Sequence, residues 1–247
     1  MDISTILGIF AGLGLVISSI LFNSGLDLFW NAPSAMIVFG GTLAATFIAY
    51  PTSEVIRVII LFKKVFLVKK TDLSELIDNM VMINNVARKG GILAIESKLK
   101  DVKHELLEKG LQLTVDGKNE STVIAFLKRE IIKLQKLYKN GWEIFNEMGK
   151  YALAFGIIGT LISLIQVLTN LTDIGSAGPK IAVTFIATFY GVVVANLVFV
   201  PITVKLKRRI ISNTLEMNLV LEGVLHIRKG VNSQYMKNML ENTVANI

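Results

Sequence analysis

YALAFGIIGTLISLIQVL, residues 151–168, is apolar over its whole length and contains no acid, no base and no metal ligand. About 20 helical residues cross the roughly 30 Å hydrocarbon core of a bilayer, so this stretch predicts a transmembrane helix. It is nevertheless dotted with polar side chains, namely Thr160, Ser163 and Gln166. These groups can line a path, but they cannot hold a charge.

Four stretches of the chain contain no Asp, Glu, Lys or Arg, and each is long enough to cross a bilayer. They are Ile3–Leu26, Leu28–Ser53, Tyr151–Thr172 and Ile181–Val204. Backbone groups inside a bilayer must bond internally, so all four are expected to be helices. The 52% hydrophobic composition agrees with a membrane class. The absence of cysteine excludes disulfides and thiolate chemistry.

The basic residues are distributed very unevenly along the chain. We count 18 of the 26 Lys and Arg in residues 54–150 and 7 after residue 204, which leaves only Lys180 elsewhere. The positive-inside rule therefore places the middle block, the C-terminal tail and the N-terminus in the cytoplasm. The net charge of +7 then reflects topology and contact with the anionic lipid bilayer, and no nucleic-acid partner is expected.

The predicted fold is an all-α integral membrane protein with four transmembrane helices in two hairpins. Residues 1–53 form the first hairpin, with spans at about 3–22 and 33–52, and residues 151–204 form the second. Residues 54–150 form a helical cytoplasmic domain between spans 2 and 3, and residues 205–247 a cytoplasmic tail. Within the cytoplasmic block, Asp72 starts a helix that stops at Gly90–Gly91, a second helix stops at Gly110, and a third continues into span 3.

Hydroxyl side chains recur at helical spacing in the last two spans. Thr160 and Ser163 share a face of the third, and Thr184 and Thr188 share a face of the fourth. Small and hydroxyl residues at such spacing are typical of membrane helix packing, so packing and path lining both stay open. A proton path needs a group that exchanges protons near neutral pH, and no Asp, Glu, His, Lys or Arg lies in any span. If the chain conducts, a partner must contribute the acid.

Nothing in the sequence indicates an enzyme. It lacks a Gly-rich phosphate loop and a nucleotide fingerprint, and its two histidines, His104 and His226, stand alone among charged neighbours. No cofactor and no metal site is predicted.

Several separate blocks resemble the signature segments of the MotA/PomA family, the A subunits of the bacterial flagellar motor stator. They are PSAMIVFGGTLAATFIAYP (33–51), ARKGGILAIE (87–96), AFGIIGTLISLI (154–165), ATFYGVVVANLVFVPI (187–202) and LEGVLHIRKGVN (221–232). The blocks follow the family's order and cover nearly the whole chain. The family belongs to the MotA/TolQ/ExbB proton channel superfamily.

The resemblance implies a membrane complex in which five A subunits surround two MotB/PomB-type B subunits (A5B2). The single transmembrane helix of each B subunit carries an essential aspartate. The complex lies in the bacterial cytoplasmic membrane, transports H+ or Na+, and drives the rotor protein FliG. The resemblance does not settle which ion is used.

Site residues follow from the same resemblance. Thr188 matches the family threonine near the ion site, and Thr160 matches a position where sodium-driven members tend to have threonine. Pro201 matches the proline linked to coupling at the cytoplasmic end of the fourth span. In the cytoplasmic block, Arg88, Lys89 and Glu96 match the charged positions that meet the rotor.

The chain departs from the family pattern at three positions. Leu153 stands where a second proline is common, which weakens any mechanism with two proline hinges. Asn31 stands where an aspartate is frequent, so an outer acidic contact is missing. Ser233 replaces a frequent proline, and little effect is expected from that change.

Two alternatives stay open beside the stator interpretation. One is a TolQ/ExbB-like energising channel subunit, although the first hairpin and the block around Arg88 and Glu96 argue against it. The other is a membrane scaffold that conducts no ions, which side-chain chemistry alone does not exclude.

Overall fold

A computed structural model describes residues 3–23, 26–67, 71–169 and 177–245. Over these residues the chain is helical and contains no strand, which confirms the all-α prediction. The α-helices are α1 (Ile3–Asn23), α2 (Ala32–Ala35), α3 (Gly41–Ala49), α4 (Thr52–Leu67), α5 (Leu73–Gly90), α6 (Glu105–Val115), α7 (Glu120–Thr169), α8 (Ala177–Thr184), α9 (Ile186–Val194), α10 (Val200–Lys229) and α11 (Ser233–Ala245). Short 3₁₀ segments occupy Asp27–Phe29 and Ile92–Asp101.

Three helical stretches of the described chain are long and apolar enough to cross a membrane: Ala32–Ala49, Glu120–Thr169 and Lys180–Lys229. Leu7–Phe22 forms a shorter apolar helix. The prediction of four spans in two hairpins stays a prediction. The connection predicted around Asp173 lies outside the described residues.

The chain divides into two compact units. The first comprises Met1–Val68 and Tyr138–Lys207, and the second comprises Lys69–Leu137 and Arg208–Ile247. Helices α7 and α10 each contribute to both units. The boundaries predicted at residues 53, 150 and 204 mark the expected edges of the membrane, and they stay a prediction.

The first unit contains two π-helical turns that interrupt otherwise α-helical segments. One spans Met36–Gly40 and joins α2 to α3, and the other spans Ala195–Phe199 and joins α9 to α10. In the second, the backbone N–H of Val200 donates to the carbonyl of Ala195, five residues back. Pro201 follows at once and has no N–H to donate, so it cannot restore the regular α-helical ladder.

Close packing within the first unit follows the small residues of the sequence. A Cβ built on Gly12 of α1 would lie 3.1 Å from Leu197, so this glycine permits the close approach of α1 to the π turn at Ala195–Phe199. Gly8, one turn earlier, has open space around it, so the Gly8–Gly12 spacing does not form a continuous contact surface here.

The second unit has an apolar core built by α5, the 3₁₀ segment Ile92–Asp101, α6, α7, α10 and α11. Its fully buried side chains include Met80, Ile83, Leu107, Leu111, Leu127, Leu219, Ile227, Met236 and Leu240. The predicted start of α5 is confirmed, because the side chain of Asp72 accepts hydrogen bonds from the backbone N–H groups of Ser74 and Glu75. The predicted end is confirmed as well, since Gly91 follows the helix with φ of 79°.

One predicted helix end in this unit is wrong. Gly110 lies inside α6, which runs on to Val115 before the turn at Asp116 and Gly117. A Cβ on Gly110 would lie 2.9 Å from Val224. The glycine therefore serves the close approach of α6 to α10, and packing overrides its weak helix propensity.

A polar cross-link joins three segments of the second unit at Glu216 of α10. Thr71 donates a hydrogen bond to Glu216 Oε1 at 2.7 Å, and His104 Nε2 lies 2.9 Å from the same atom. Nδ1 of His104 accepts from the N–H of Leu107 and so caps α6. Burial alone would raise the pKa of Glu216, but the hydrogen bonds and the nearby positive charges outweigh it and lower that pKa below its ordinary value.

Glu216→Gln is expected to destabilise the protein at neutral pH by about 1.5–3 kcal/mol, the range for a hydrogen bond to a charged group. A carboxyl group whose pKa is lowered by folding stabilises the fold at pH values above the ordinary carboxyl pKa. This stabilisation disappears as the pH falls through the lowered pKa of the folded state. The variant should therefore lose part of the acid dependence that the parent shows below about pH 4.5. Thermal unfolding from pH 3 to 7 measures both effects, with the exposed Glu108→Gln as control. Equal acid dependence in variant and parent would contradict the assignment.

Candidate ion path

Helices α7 and α9 meet through glycine and alanine. A Cβ on Gly191 would lie 2.5 Å from the carbonyl oxygen of Ala152, and one on Gly156 would lie 3.1 Å from that of Ala187. The 2.5 Å distance at Gly191 is shorter than real Cβ atoms show to any backbone atom, so only glycine fits there. The two helices therefore touch backbone to backbone, which only small residues permit.

Two of the four predicted hydroxyl residues meet at this contact. Thr160 Oγ1 and Thr188 Oγ1 lie 2.5 Å apart, and they lie 3.1 and 3.2 Å from the carbonyl oxygen of Gly156. The three oxygen atoms form three short contacts, but the two hydroxyls carry only two protons between them. At most two contacts are hydrogen bonds at one time, and lone pairs remain for a water molecule or a cation. We call these three groups the hydroxyl cluster.

The other two predicted hydroxyl residues are placed differently. Thr184 is buried and donates to the carbonyl of Ile181 at 2.7 Å, so its hydroxyl is bonded within its own helix. Ser163 is half-buried on α7, three residues beyond Thr160. The structure thus brings Thr160 and Thr188 together across the helix contact, and the roles of Thr184 and Ser163 stay predictions.

Sequence reasoning missed the carbonyl of Gly156 as a polar member of the cluster. Helical threonine commonly bonds the carbonyl four residues earlier, and Thr160 does so here. A glycine at that earlier position leaves the carbonyl open to a neighbouring helix. A Gly-x-x-x-Thr pattern in a membrane helix is therefore the sequence signal that predicts such an accessible carbonyl group.

The residues predicted to face the rotor lie on the surface of the second unit. Arg88 and Lys89 are exposed in the last turn of α5, where a positive charge also suits the helix dipole. Glu96 is exposed on the 3₁₀ segment that follows Gly91. The three charges therefore flank one sharp turn of the backbone.

Pro201 is half-buried at the second position of α10, directly after the π turn. Leu153 of α7 is exposed, and Asn31 caps α2 by accepting from the N–H of Ser34 at 2.9 Å. Across the described residues, His, Asp and Glu do not gather into groups of three or more that can hold a metal ion.

These features define an all-helical protein whose apolar helices are long enough to cross a membrane and meet at a cluster of neutral oxygens. Residues 98–219 match the family model of the MotA/TolQ/ExbB proton channel family. The chain is 33% identical over 242 residues to Chemotaxis protein PomA of Vibrio alginolyticus, covering 98% of this chain and 95% of that protein. It is 36% identical over 239 residues to Motility protein A of Aquifex aeolicus, covering 96% and 94%.

A solved structure agrees with the sequence comparisons. The structure of C. jejuni MotAB superposes with a TM-score of 0.91 at 25% identity, covering 98% of this chain and 96% of that one. The chain therefore belongs to the MotA/TolQ/ExbB proton channel family, and the resemblance drawn from its sequence blocks is confirmed.

Proposed function

We propose that this chain is the A subunit of a bacterial flagellar motor stator, which passes H+ or Na+ across the cytoplasmic membrane and converts the flow into torque. The observation that carries the proposal is the hydroxyl cluster at the contact of α7 and α9. Relatives of nearly the same length are named Motility protein A and Chemotaxis protein PomA. These names favour a stator over a TolQ/ExbB-like energising subunit or a scaffold.

A B-type partner follows from the chemistry of the cluster. Hydroxyl and carbonyl groups do not take up and release protons near neutral pH, and no predicted span contains Asp, Glu, His, Lys or Arg. The missing carboxylate then belongs to a second chain, the MotB/PomB-type subunit with its aspartate. The structure of the relative bears the name MotAB, which supports such a pairing. For the number of copies we retain A5B2.

The proposed topology has four spans in two hairpins, with both termini in the cytoplasm. The support is the concentration of Lys and Arg in residues 54–150 and after residue 204. The second unit, with its apolar core and charged surface, is the cytoplasmic part in this arrangement.

The rotor contact is proposed at Arg88, Lys89 and Glu96, with FliG as the partner. All three side chains are exposed. Charged surfaces of this kind favour fast and repeatable encounters over tight binding, which suits a motor that steps.

Coupling is proposed to pass through the fourth span at Pro201. The π turn and the proline together interrupt the hydrogen-bond ladder at one place, so bending is easiest there. Helix α10 then continues without a break to Lys229. Because Leu153 replaces the other family proline, this chain relies on a single hinge.

The coupling ion is open between H+ and Na+. Thr160 favours sodium, because three neutral oxygens can replace part of a cation's hydration shell without exchanging a proton. Swimming speed measured against external sodium, with and without a protonophore, separates the two ions.

Thr188→Val tests the proposed path, since it keeps the shape of the side chain and deletes the hydroxyl. Membrane hydroxyl contacts contribute only about 1 kcal/mol to packing, so the complex should still assemble. Ion conductance per stator should fall by about tenfold, which corresponds to the free energy of one good hydrogen bond. Proton or sodium flux in cells that coexpress the B partner is the measurement.

Thr188→Ser is the matched control because it retains the hydroxyl, and it should conduct nearly as well as the parent. Normal conductance and normal torque in Thr188→Val would show that the cluster serves packing alone.

A further inference from the structure

Three consecutive residues of α9 contact different parts of the first unit. Thr188 belongs to the hydroxyl cluster on α7, and the ring of Phe189 packs edge-on against Phe29 with centroids 5.4 Å apart. The hydroxyl of Tyr190 donates to the carbonyl of Phe29 and accepts the N–H of Asn31 at 3.2 Å. Tyr190 thereby joins α9 to the connection that precedes α2.

The two backbone groups that Tyr190 bonds lie between helical elements. Phe29 ends a 3₁₀ segment, and Asn31 is the N-cap of α2, so helical hydrogen bonds do not use its N–H. Half-buried backbone groups need partners, and within or near a bilayer the need is greater. One phenol hydroxyl satisfies both groups.

The position of α9 depends on contacts at its sides because both of its ends are irregular. A turn at Phe185 separates it from α8, and the π turn at Ala195–Phe199 separates it from α10. Consecutive helical residues are about 100° apart, so Thr188 and Tyr190 lie about 200° apart and point to nearly opposite sides. The segment is thus held on one side by α7 and on the other by Phe29 and Asn31.

We propose that Tyr190 is a positioning residue of the ion path: by bonding Phe29 and Asn31 it fixes the rotation of α9 and so keeps Thr188 against Thr160 and Gly156. The assignment rests on the proposed function for the path itself. The hydrogen bonds of Tyr190 go to Phe29 and Asn31, and in this proposal its effect on ion flow passes through Thr188.

The test is Tyr190→Phe in the full chain coexpressed with its B-type partner. The variant keeps the ring and loses both hydrogen bonds. Conductance per stator should fall by about threefold to tenfold, the consequence of losing part of the free energy of such bonds. The relative conductance for H+ and Na+ should shift as well, because the spacing of the cluster oxygens changes. Tyr151→Phe, which removes a phenol hydroxyl from α7, is the matched control.

An independent readout reports on the connection itself. Trp30 lies between Phe29 and Asn31 and is 85% exposed, and the chain has only one other tryptophan, Trp142. In a Trp142→Phe background, the fluorescence anisotropy of Trp30 should fall once Tyr190→Phe releases the connection, because the indole ring then moves more freely. This measurement needs no ion flow, so it stands even if the proposed function fails.

Three outcomes overturn the proposal. Unchanged anisotropy of Trp30 would show that the hydroxyl does not hold the connection. Lowered anisotropy with normal conductance and normal ion preference would show a purely structural role. Phe189→Leu loosens the ring contact with Phe29 and keeps the Tyr190 hydroxyl, so a loss of conductance as large as that of Tyr190→Phe would show that ring packing, and not the hydroxyl, positions α9. Should Tyr190→Phe assemble poorly with its partner, the anisotropy of Trp30 in the full chain alone still tests the two hydrogen bonds. Failure of the proposed path is recognised separately, by normal conductance in Thr188→Val.

Discussion

Gly191→Ala is expected to abolish ion flow through the complex. The added Cβ would lie 2.5 Å from the carbonyl oxygen of Ala152 and 3.1 Å from the Cα of Gly156. Both neighbours are helical backbone and cannot turn aside as a flexible side chain would, so α7 and α9 must separate. A shift of even about 1 Å exceeds the tolerance of a 2.5 Å contact between Thr160 and Thr188.

Gly14→Ala is the matched control for that experiment. A Cβ at Gly14 meets open space, and alanine favours a helix over glycine by about 1 kcal/mol. Conductance and swimming should therefore persist in Gly14→Ala and disappear in Gly191→Ala. Immunodetection of both chains in isolated membranes separates lost conduction from lost insertion. A Gly191→Ala complex that conducts normally would show that the two helices need no backbone contact.

Reversing charge at the proposed rotor contact should stop swimming while ions still flow. Arg88→Glu combined with Glu96→Lys changes two exposed side chains and leaves the core of the second unit intact. Like charges placed opposite one another across an interface cost several kcal/mol, so torque at high load should fall by more than about tenfold. Tethered-cell rotation and ion conductance, measured on the same strain, give the two readouts.

The comparison variant for this experiment is Lys128→Glu, since Lys128 is an exposed basic residue on α7 of the same unit. It should rotate nearly normally. A compensating charge reversal on FliG should restore part of the torque of the double variant. If the double variant swims at parental speed under low and high load, the rotor contacts a different part of the chain.

Much of this architecture could be predicted because the bilayer restricts what an apolar stretch can do. A run such as residues 151–168 has only one way to satisfy its backbone, so the helix follows from composition. The start and end of α5 were also predictable, since Asp72 and Gly91 act on the backbone within a few residues of themselves. Helix ends of this kind can be predicted because the residue that causes them and the backbone it acts on are close in sequence.

Contacts between distant segments were not predictable. Tyr190 bonds residues about 160 positions earlier, and nothing in its spacing marks it out. Gly110 reads as a helix end, yet the methyl groups of Val224 require a glycine there inside a helix. Ser233 was expected to matter little, but it accepts from Asn84 and donates to Asn85 and so joins α11 to α5. In each case the partner is fixed by tertiary packing.

The π turn at Ala195–Phe199 has a geometric consequence for everything that follows it. It holds one residue more than an α-helical turn, and a residue corresponds to about 100° of rotation. Ile202 and Leu206 are buried, so their inward direction depends on this angular offset. Deleting one residue between 195 and 199 would restore a regular ladder locally and carry both side chains about 100° around the helix axis. The π turn therefore sets the rotational phase of α10, that is, which of its side chains face the interior.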